Sequence, residues 1–309
     1  MDNAISIKNF SKSFFGSKAV EDLSFEVDDS KIMAFLGANG AGKTTTIRCL
    51  LNIYPADKGE LLILGKKFAP EMNSEVGYLP EERGIYQDAK LYDFFLYISS
   101  LRSIPKDEAR KKIDEYLKRV NLFEHKDKKI SQLSSGMQQK AQIGISILHN
   151  PKVLILDEPF RGLDPINRQL FIDLFQELNK KFGTSILYST HVVDEAQKLS
   201  DEVTIIKNGK LAATGSINDL RNSYGDKTIT IQFANKFEVD AKAKQMFEAR
   251  ISNKSAEIIP KEGVDTDQIL KYLVNSDIDL KEFTIDRPSL NEVFLIINKD
   301  NDEPNMDSN

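Results

Sequence analysis

Apolar positions along this chain fall into short unbroken runs, helical stripes and alternating stretches, and each pattern predicts a different element. Ile32 to Leu36, Val153 to Leu156 and Ser185 to Ser189 are brief runs bounded by turn or glycine signals. Uninterrupted strands of this length suit a parallel sheet covered by helices on both faces. Between the second and third runs the period becomes helical. Asp164 is placed to cap this helix, Pro165 suits its first turn, and Gly183 ends it. Leu170, Phe171, Leu174, Phe175 and Leu178 form its apolar stripe. Strand, helix, strand in that order predicts a βαβ unit. Met1 to Phe10 reads as a short strand with Ile5 and Ile7 on one face, not as a signal peptide.

The pattern changes twice more. Residues from about 84 to 149 read as mainly helical, with Ile113, Leu117 and Val120 on one face of a helix that starts after Pro105. Lys106 to Lys112 reads as that helix's solvated side. After Tyr224-Gly225, Thr228 to Phe233 alternates like an edge strand, and further signals run to about residue 298. The expected organisation is a first domain over residues 1–222 with a helical subdomain at about 84–149. A small α+β domain is expected over 226–298, followed by a disordered polar tail over 299–309.

Composition narrows the class. A length of 309 residues allows two domains and a sizeable core. The formal net charge of -5 offers no whole-chain case for a nucleic-acid partner, and none is expected. Cys49 is the single cysteine, so no intrachain disulfide can form, which fits a reducing compartment. No apolar run approaches the ~18 residues a membrane-crossing helix needs, so any membrane-spanning part is expected on another chain.

Two segments carry chemistry. Gly37-Ala38-Asn39-Gly40-Ala41-Gly42-Lys43-Thr44-Thr45 fits the phosphate-loop pattern, follows the Ile32 to Leu36 strand and opens a helix expected over Thr45 to Asn52. Glycines let backbone N–H groups wrap the phosphates, and the helix N-terminus adds donors and a positive dipole end. Lys43 offers charge to the β- and γ-phosphates, and the Thr44 hydroxyl suits Mg2+. The second segment is a strand ending in Asp157 and Glu158. Strands of an open parallel sheet deliver their carboxyl ends to the ligand crevice. Asp157 there can anchor Mg2+, and Glu158 can take or orient the proton of an attacking water. An exposed acidic turn would look the same alone; the phosphate loop upstream favours the metal reading.

Leu133-Ser134-Ser135-Gly136-Met137-Gln138-Gln139-Lys140 resembles the LSGGQ signature of ABC ATPases. An N-capping box on an ordinary helix would explain these serines in isolation. With it, Gly162-Leu163-Asp164 resembles the D-loop, His191 the switch histidine, and Glu81 stands at the Q-loop position. Phe14, or alternatively Phe15, corresponds to the aromatic that stacks on adenine. The resemblance covers about residues 1–220 and implies an α/β P-loop ABC-type ATPase domain with an inserted helical subdomain, beside the small α+β C-terminal domain. It implies ATP and Mg2+ as ligands, with Lys43, Glu158 and His191 catalytic and Thr44, Asp157 and Glu81 holding the metal. Phe14, Gly37, Asn39, Gly40, Ala41, Gly42, Lys43, Thr44, Thr45 and Glu81 would bind nucleotide within one chain. Ser134, Ser135, Gly136 and Asp164 would reach the nucleotide of a second ATPase subunit, in a head-to-tail homodimer.

The resemblance also implies an integral-membrane permease partner on a separate chain and a place at the cytoplasmic face of the membrane. Pro80-Glu81-Glu82-Arg83-Gly84 and Arg287-Pro288-Ser289-Leu290-Asn291-Glu292 are similar to bacterial exporter ATPases of the sodium-efflux and drug- or peptide-resistance types. Three departures stand out: Glu81 replaces glutamine, Ser135 replaces glycine, and Met137 replaces the signature glutamine. The expected function is ATP hydrolysis powering transport. The alternative is a non-transport ABC ATPase acting on a ribosomal or other macromolecular partner, and an intact Lys43, Asp157 and Glu158 argue against a pure binding module.

Overall fold

The structure is a computed structural model that describes residues 3–82, 84, 86–224, 228–235, 237–261, 263–276, 278–286 and 288–299. Arg83, Gly225, Arg287 and the expected tail from residue 300 onward lie outside the described residues. The chain divides into two compact units, Met1–Ser216 and Ile217–Asn309.

In chain order the first unit runs β1 (Asn3–Phe14), β2 (Ser17–Asp28), β3 (Ile32–Leu36), α1 (Lys43–Leu50), β4 (Lys58–Ile63) and β5 (Val76–Leu79). Then come α2 (Leu91–Leu101), α3 (Lys106–Arg119), α4 (Ser135–Ile147), β6 (Val153–Asp157) and α5 (Pro165–Phe182). It closes with β7 (Ser185–Thr190), α6 (Val193–Leu199), β8 (Glu202–Lys207) and β9 (Lys210–Ser216). Among the described residues these strands make two sheets, ordered β2-β1-β4 and β5-β6-β7-β3-β8-β9.

The uninterrupted runs are central strands: β3, β6 and β7 are buried at every position. Their neighbours pair in parallel, and β9 joins β8 antiparallel at the edge. Helices alone do not cover both faces, contrary to expectation. On one face Phe35, Ile155 and Leu187 share a core with Ile7 and Phe25 of the antiparallel sheet and with Ile47 and Leu50 of α1. On the other, Tyr188 meets Phe160, which packs edge-on against Phe175 of α5. Burying each such ring contributes on the order of 2–3 kcal/mol.

The antiparallel sheet escapes period-two reading because its strands are irregular. The β1–β2 register shifts between Ile7 and Phe10 and between Phe10 and Lys12. Asn9 and Asp22 take positive φ of 49° and 51° beside those shifts. Each bulge moves the alternation by one residue and blurs the pattern.

The helix after the phosphate loop begins at Lys43, earlier than the expected Thr45, because Gly42 caps it in a left-handed conformation. In α3 and its end, Ile113, Leu117 and Val120 are fully buried, as their spacing requires. No helix among the described residues is long and apolar enough to cross a membrane.

The second unit holds α7 (Ile217–Ser223), β10 (Thr228–Phe233), α8 (Ala243–Met246), β11 (Phe247–Ser252) and β12 (Ser255–Pro260). It ends with α9 (Thr266–Val274), β13 (Leu280–Asp286) and α10 (Leu290–Lys299). Its sheet order is β11-β12-β10-β13, so β10 is an interior strand, not the expected edge strand. Its alternation reflects one-sided cover: Ile229, Ile231 and Phe233 face Ile269 and Leu273 of α9. The division after Ser216 precedes residue 222 because α7 belongs with α10, and the Arg221 Nε donates to the Pro288 carbonyl at 2.8 Å. Ser289 and Glu292 form a reciprocal cap on α10: Glu292 accepts the Ser289 N–H at 2.7 Å, and the Ser289 hydroxyl accepts the Glu292 N–H at 3.2 Å.

Candidate active site

The β3–α1 turn places the phosphate loop by close approach. A Cβ at Gly37 would stand 2.6 Å from the Ile206 carbonyl, and one at Gly42 would stand 2.8 Å from the Ala19 carbonyl. Gly42 also takes φ 108°, which side chains rarely adopt. Lys43 opens α1 almost fully buried and folds back over the loop. Its Nζ donates to the Gly37 carbonyl at 2.7 Å and the Ala38 carbonyl at 3.1 Å, and lies 3.7 Å from Glu158. Burial draws the Lys43 ammonium below its ordinary value, and the charges of Glu158, Asp157 and Glu81 oppose that shift.

A cavity of about 260 Å³ opens over this loop, lined by Ala19, Asn39, Gly40, Gly42, Lys43, Thr44, Thr45, Glu81 and Glu158. A larger one, about 830 Å³, belongs to the second unit, where Asp240, Lys242, Lys271 and Tyr272 mix opposite charges without a glycine loop. The smaller cavity is the one with chemistry for a polyphosphate.

The acids arrive from β6. Asp157 is its last residue, wholly buried, and the β6–β7 register sets it opposite Ser189. The Ser189 hydroxyl donates to Asp157 Oδ1 and accepts the backbone N–H of Glu158 at 2.9 Å. Asp157 Oδ2 is buried with no hydrogen-bond partner. Burial pushes the Asp157 carboxyl up, and the Ser189 and Thr44 hydroxyls offset part of the rise. Glu158 takes φ 50°, strained for a residue with a side chain, which turns its carboxylate toward Lys43. His191, just beyond β7, holds Nδ1 3.0 Å from both Glu158 oxygens. Glu158 accepts there, which assigns the ring proton to Nδ1.

Glu81 follows β5 and meets the same cavity. One oxygen lies 3.5 Å from the Thr44 hydroxyl, and the other accepts from Arg161. Its neighbour Glu82 pairs with Arg48 at 3.1 Å.

The remaining expected residues stand apart from this cavity within one chain. Ser134 caps α4, accepting the Met137 N–H at 3.3 Å, and Ser134 and Ser135 are exposed. Gly136 faces the Gly162 carbonyl, where a Cβ would sit at 3.4 Å. Asp164 is exposed and caps α5 through the Asn167 N–H at 2.9 Å. Phe14 packs edge-on against Tyr54 at 5.5 Å, while Phe15 at the hairpin tip is fully exposed.

Sequence reading missed Ser189, Ala19 and the Arg161 pairing. A hydroxyl near the carboxyl end of a strand adjoining an acid-tipped strand was the available signal for Ser189; adjacency itself is tertiary. The donor set suits a hard cation: the unpartnered oxygen of Asp157 and the Thr44 hydroxyl are the oxygen ligands Mg2+ takes.

Comparisons with known proteins identify what the chain as a whole is similar to. The family described as ABC transporter matches residues 20–161, and the family described as ATP-binding protein DrrA1-3-like, C-terminal domain, matches residues 215–296. The chain is 33% identical to the Bacillus subtilis ABC transporter ATP-binding protein YhaQ over 303 residues, 94% of this chain and 97% of that one. It is 30% identical to the linearmycin resistance ATP-binding protein LnrL of Bacillus subtilis, covering 72% of each. A solved structure described as the ATP-binding subunit of an ABC transporter superposes with TM-score 0.67 at 28% identity, over 72% of this chain and 93% of that one.

Proposed function

The chain belongs to the ABC transporter ATP-binding proteins, and from that premise we propose that it powers export through a separate membrane-spanning permease. It is an ATPase that uses ATP with Mg2+. Export is favoured by the likeness to the linearmycin resistance ATP-binding protein LnrL, over 72% of the chain. The chain then works at the cytoplasmic face, attached through its permease.

Lys43 and the amides of the Gly37–Thr45 loop hold the β- and γ-phosphates. Thr44 and Asp157 hold Mg2+, with Glu81 beside them; when bound, the ion neutralises charge developing on the phosphates. Glu158 orients the attacking water and takes its proton. Ser189 fixes its backbone and His191 its carboxylate, and the imidazole edge left outward contacts the γ-phosphate. The hairpin tip carrying Phe14 and Phe15 receives the adenine.

One observation carries the dimer. The Ser134–Gly136 tip of α4 is built like an anion site, yet among the described residues it does not line the Lys43 cavity of its own chain. In a head-to-tail pair each tip, with Asp164 behind it, completes the other's site, so ATP closes the pair and hydrolysis opens it. The test is sedimentation of Glu158→Gln with ATP and Mg2+. A nucleotide-dependent dimer is expected, and a strictly monomeric, ATP-loaded variant would sink the closure. Recovery in detergent of a partner with several membrane-spanning segments supports the permease assignment, and failure to recover one under mild solubilisation counts against it.

A further inference from the structure

Three carboxylates, Glu81, Asp157 and Glu158, converge near Lys43, where a triphosphate would bring several more negative charges. Asp157 and Glu158 have the metal and the water to serve. Glu81 adds charge beside the phosphates. Its own geometry offers the compensation: Oε1 accepts from the Arg161 guanidinium while Oε2 faces Thr44 at 3.5 Å. Arg161 is anchored to the acid turn, because its N–H donates to the Glu158 carbonyl at 3.2 Å. Glu81, Glu82, Gln139 and Arg161 line a cavity of about 300 Å³ that shares Glu81 with the phosphate cavity. Gln139 reaches the same turn, donating to the Pro159 carbonyl at 2.8 Å.

We propose that Arg161 is a positioning residue for ATP binding: it holds Glu81 as an ion pair, cancels its charge beside the triphosphate, and ties the loop after β5 to the turn after Glu158. The proposal rests on the triphosphate lying over Lys43. The Arg161 side chain is 65% exposed and that of Glu81 33%, so solvent screens the pair and its effect is moderate. Loss of the guanidinium is expected to weaken ATP binding roughly twofold to fivefold at low salt. The loss shrinks as ionic strength rises and the screening length falls to about 10 Å.

The test is equilibrium binding of ATP in EDTA, which removes metal coordination by Glu81 from the comparison. Wild type, Arg161→Ala, Glu81→Gln, the double variant, Arg161→Lys and Lys43→Ala are compared at two salt concentrations. Arg161→Ala is expected to bind more weakly than wild type, and the double variant as tightly as Glu81→Gln alone. Arg161→Lys is expected to recover most of the affinity, since charge is what acts. An unchanged affinity in Arg161→Ala overturns the proposal, as does an equal loss in the Glu81→Gln background. Lys43→Ala separates the two readings. If it binds ATP normally, the site assignment fails; if it loses binding while the cycle is additive, only the Arg161 role fails.

Discussion

Ser189→Ala gives the sharpest check on how the acids are held. The hydroxyl donates to Asp157 Oδ1 and accepts the Glu158 N–H at 2.9 Å, and both Ser189 and Asp157 are fully buried. Its removal orphans one carboxylate oxygen and one backbone N–H, each costing about 1–3 kcal/mol. Together that is roughly 2–6 kcal/mol, and at about 2–4 °C per kcal/mol for a unit of this size the midpoint falls by roughly 4–24 °C. The loss has a pH signature. Folding holds Asp157 above its ordinary value, so ionising it becomes costly as pH rises. Without Ser189 that cost grows, so the gap in Tm between variant and wild type widens with rising pH and narrows on acidification. Calorimetry on both proteins across pH reads this directly, and common effects of other acids cancel in the difference. Turnover falls as well, by roughly 10- to 100-fold, because Glu158 loses the anchor of a strained backbone. A gap below about 1 °C, or one independent of pH, would refute this account of the acid pair.

Glu158→Gln is expected to retain ATP affinity while steady-state turnover falls by roughly 10²–10⁴, and undiminished phosphate release would remove Glu158 from its role. Gly42→Ala is expected to lower Tm and ATP affinity more than Gly40→Ala. Both have positive φ, but only at Gly42 does the new Cβ meet a carbonyl, at 2.8 Å; equal effects would discount the contact. His149 is held neutral at a pKa of about 4 by burial and by Arg102 nearby. The unfolded state binds that proton more readily, so this contribution is complete above about pH 6.5 and drains away as pH falls toward 4. The loss is about 2 kcal/mol by pH 5, and His149→Gln should flatten it in denaturant titrations; an unchanged slope would argue against a neutral buried imidazole.

Local pattern determined what local physics controls. Fully buried strands need unbroken apolar runs, so β3, β6 and β7 stood out; a helix stop needs a residue tolerant of left-handed backbone, so Gly183 marked the end of α5. The phosphate loop was legible because wrapping an anion with backbone amides requires glycines at fixed offsets, and the acids became legible beside it because strands of a parallel sheet deliver their carboxyl ends to the same crevice. What the sequence left open depended on which strands become neighbours. β10 looked like an edge strand because one-sided cover and edge position leave the same alternation; only hydrogen bonding to both β12 and β13 distinguishes them. The antiparallel sheet was masked by bulges that reset the alternation. Ser189, more than thirty residues from Asp157 along the chain, becomes its partner only through the β6–β7 register. The Arg161 pairing exists only because the fold brings Glu81 to it across eighty residues of chain. Periodicity and turn chemistry act between residues a few positions apart, whereas ion pairs and cross-strand contacts depend on distance in space, which the folded chain alone fixes.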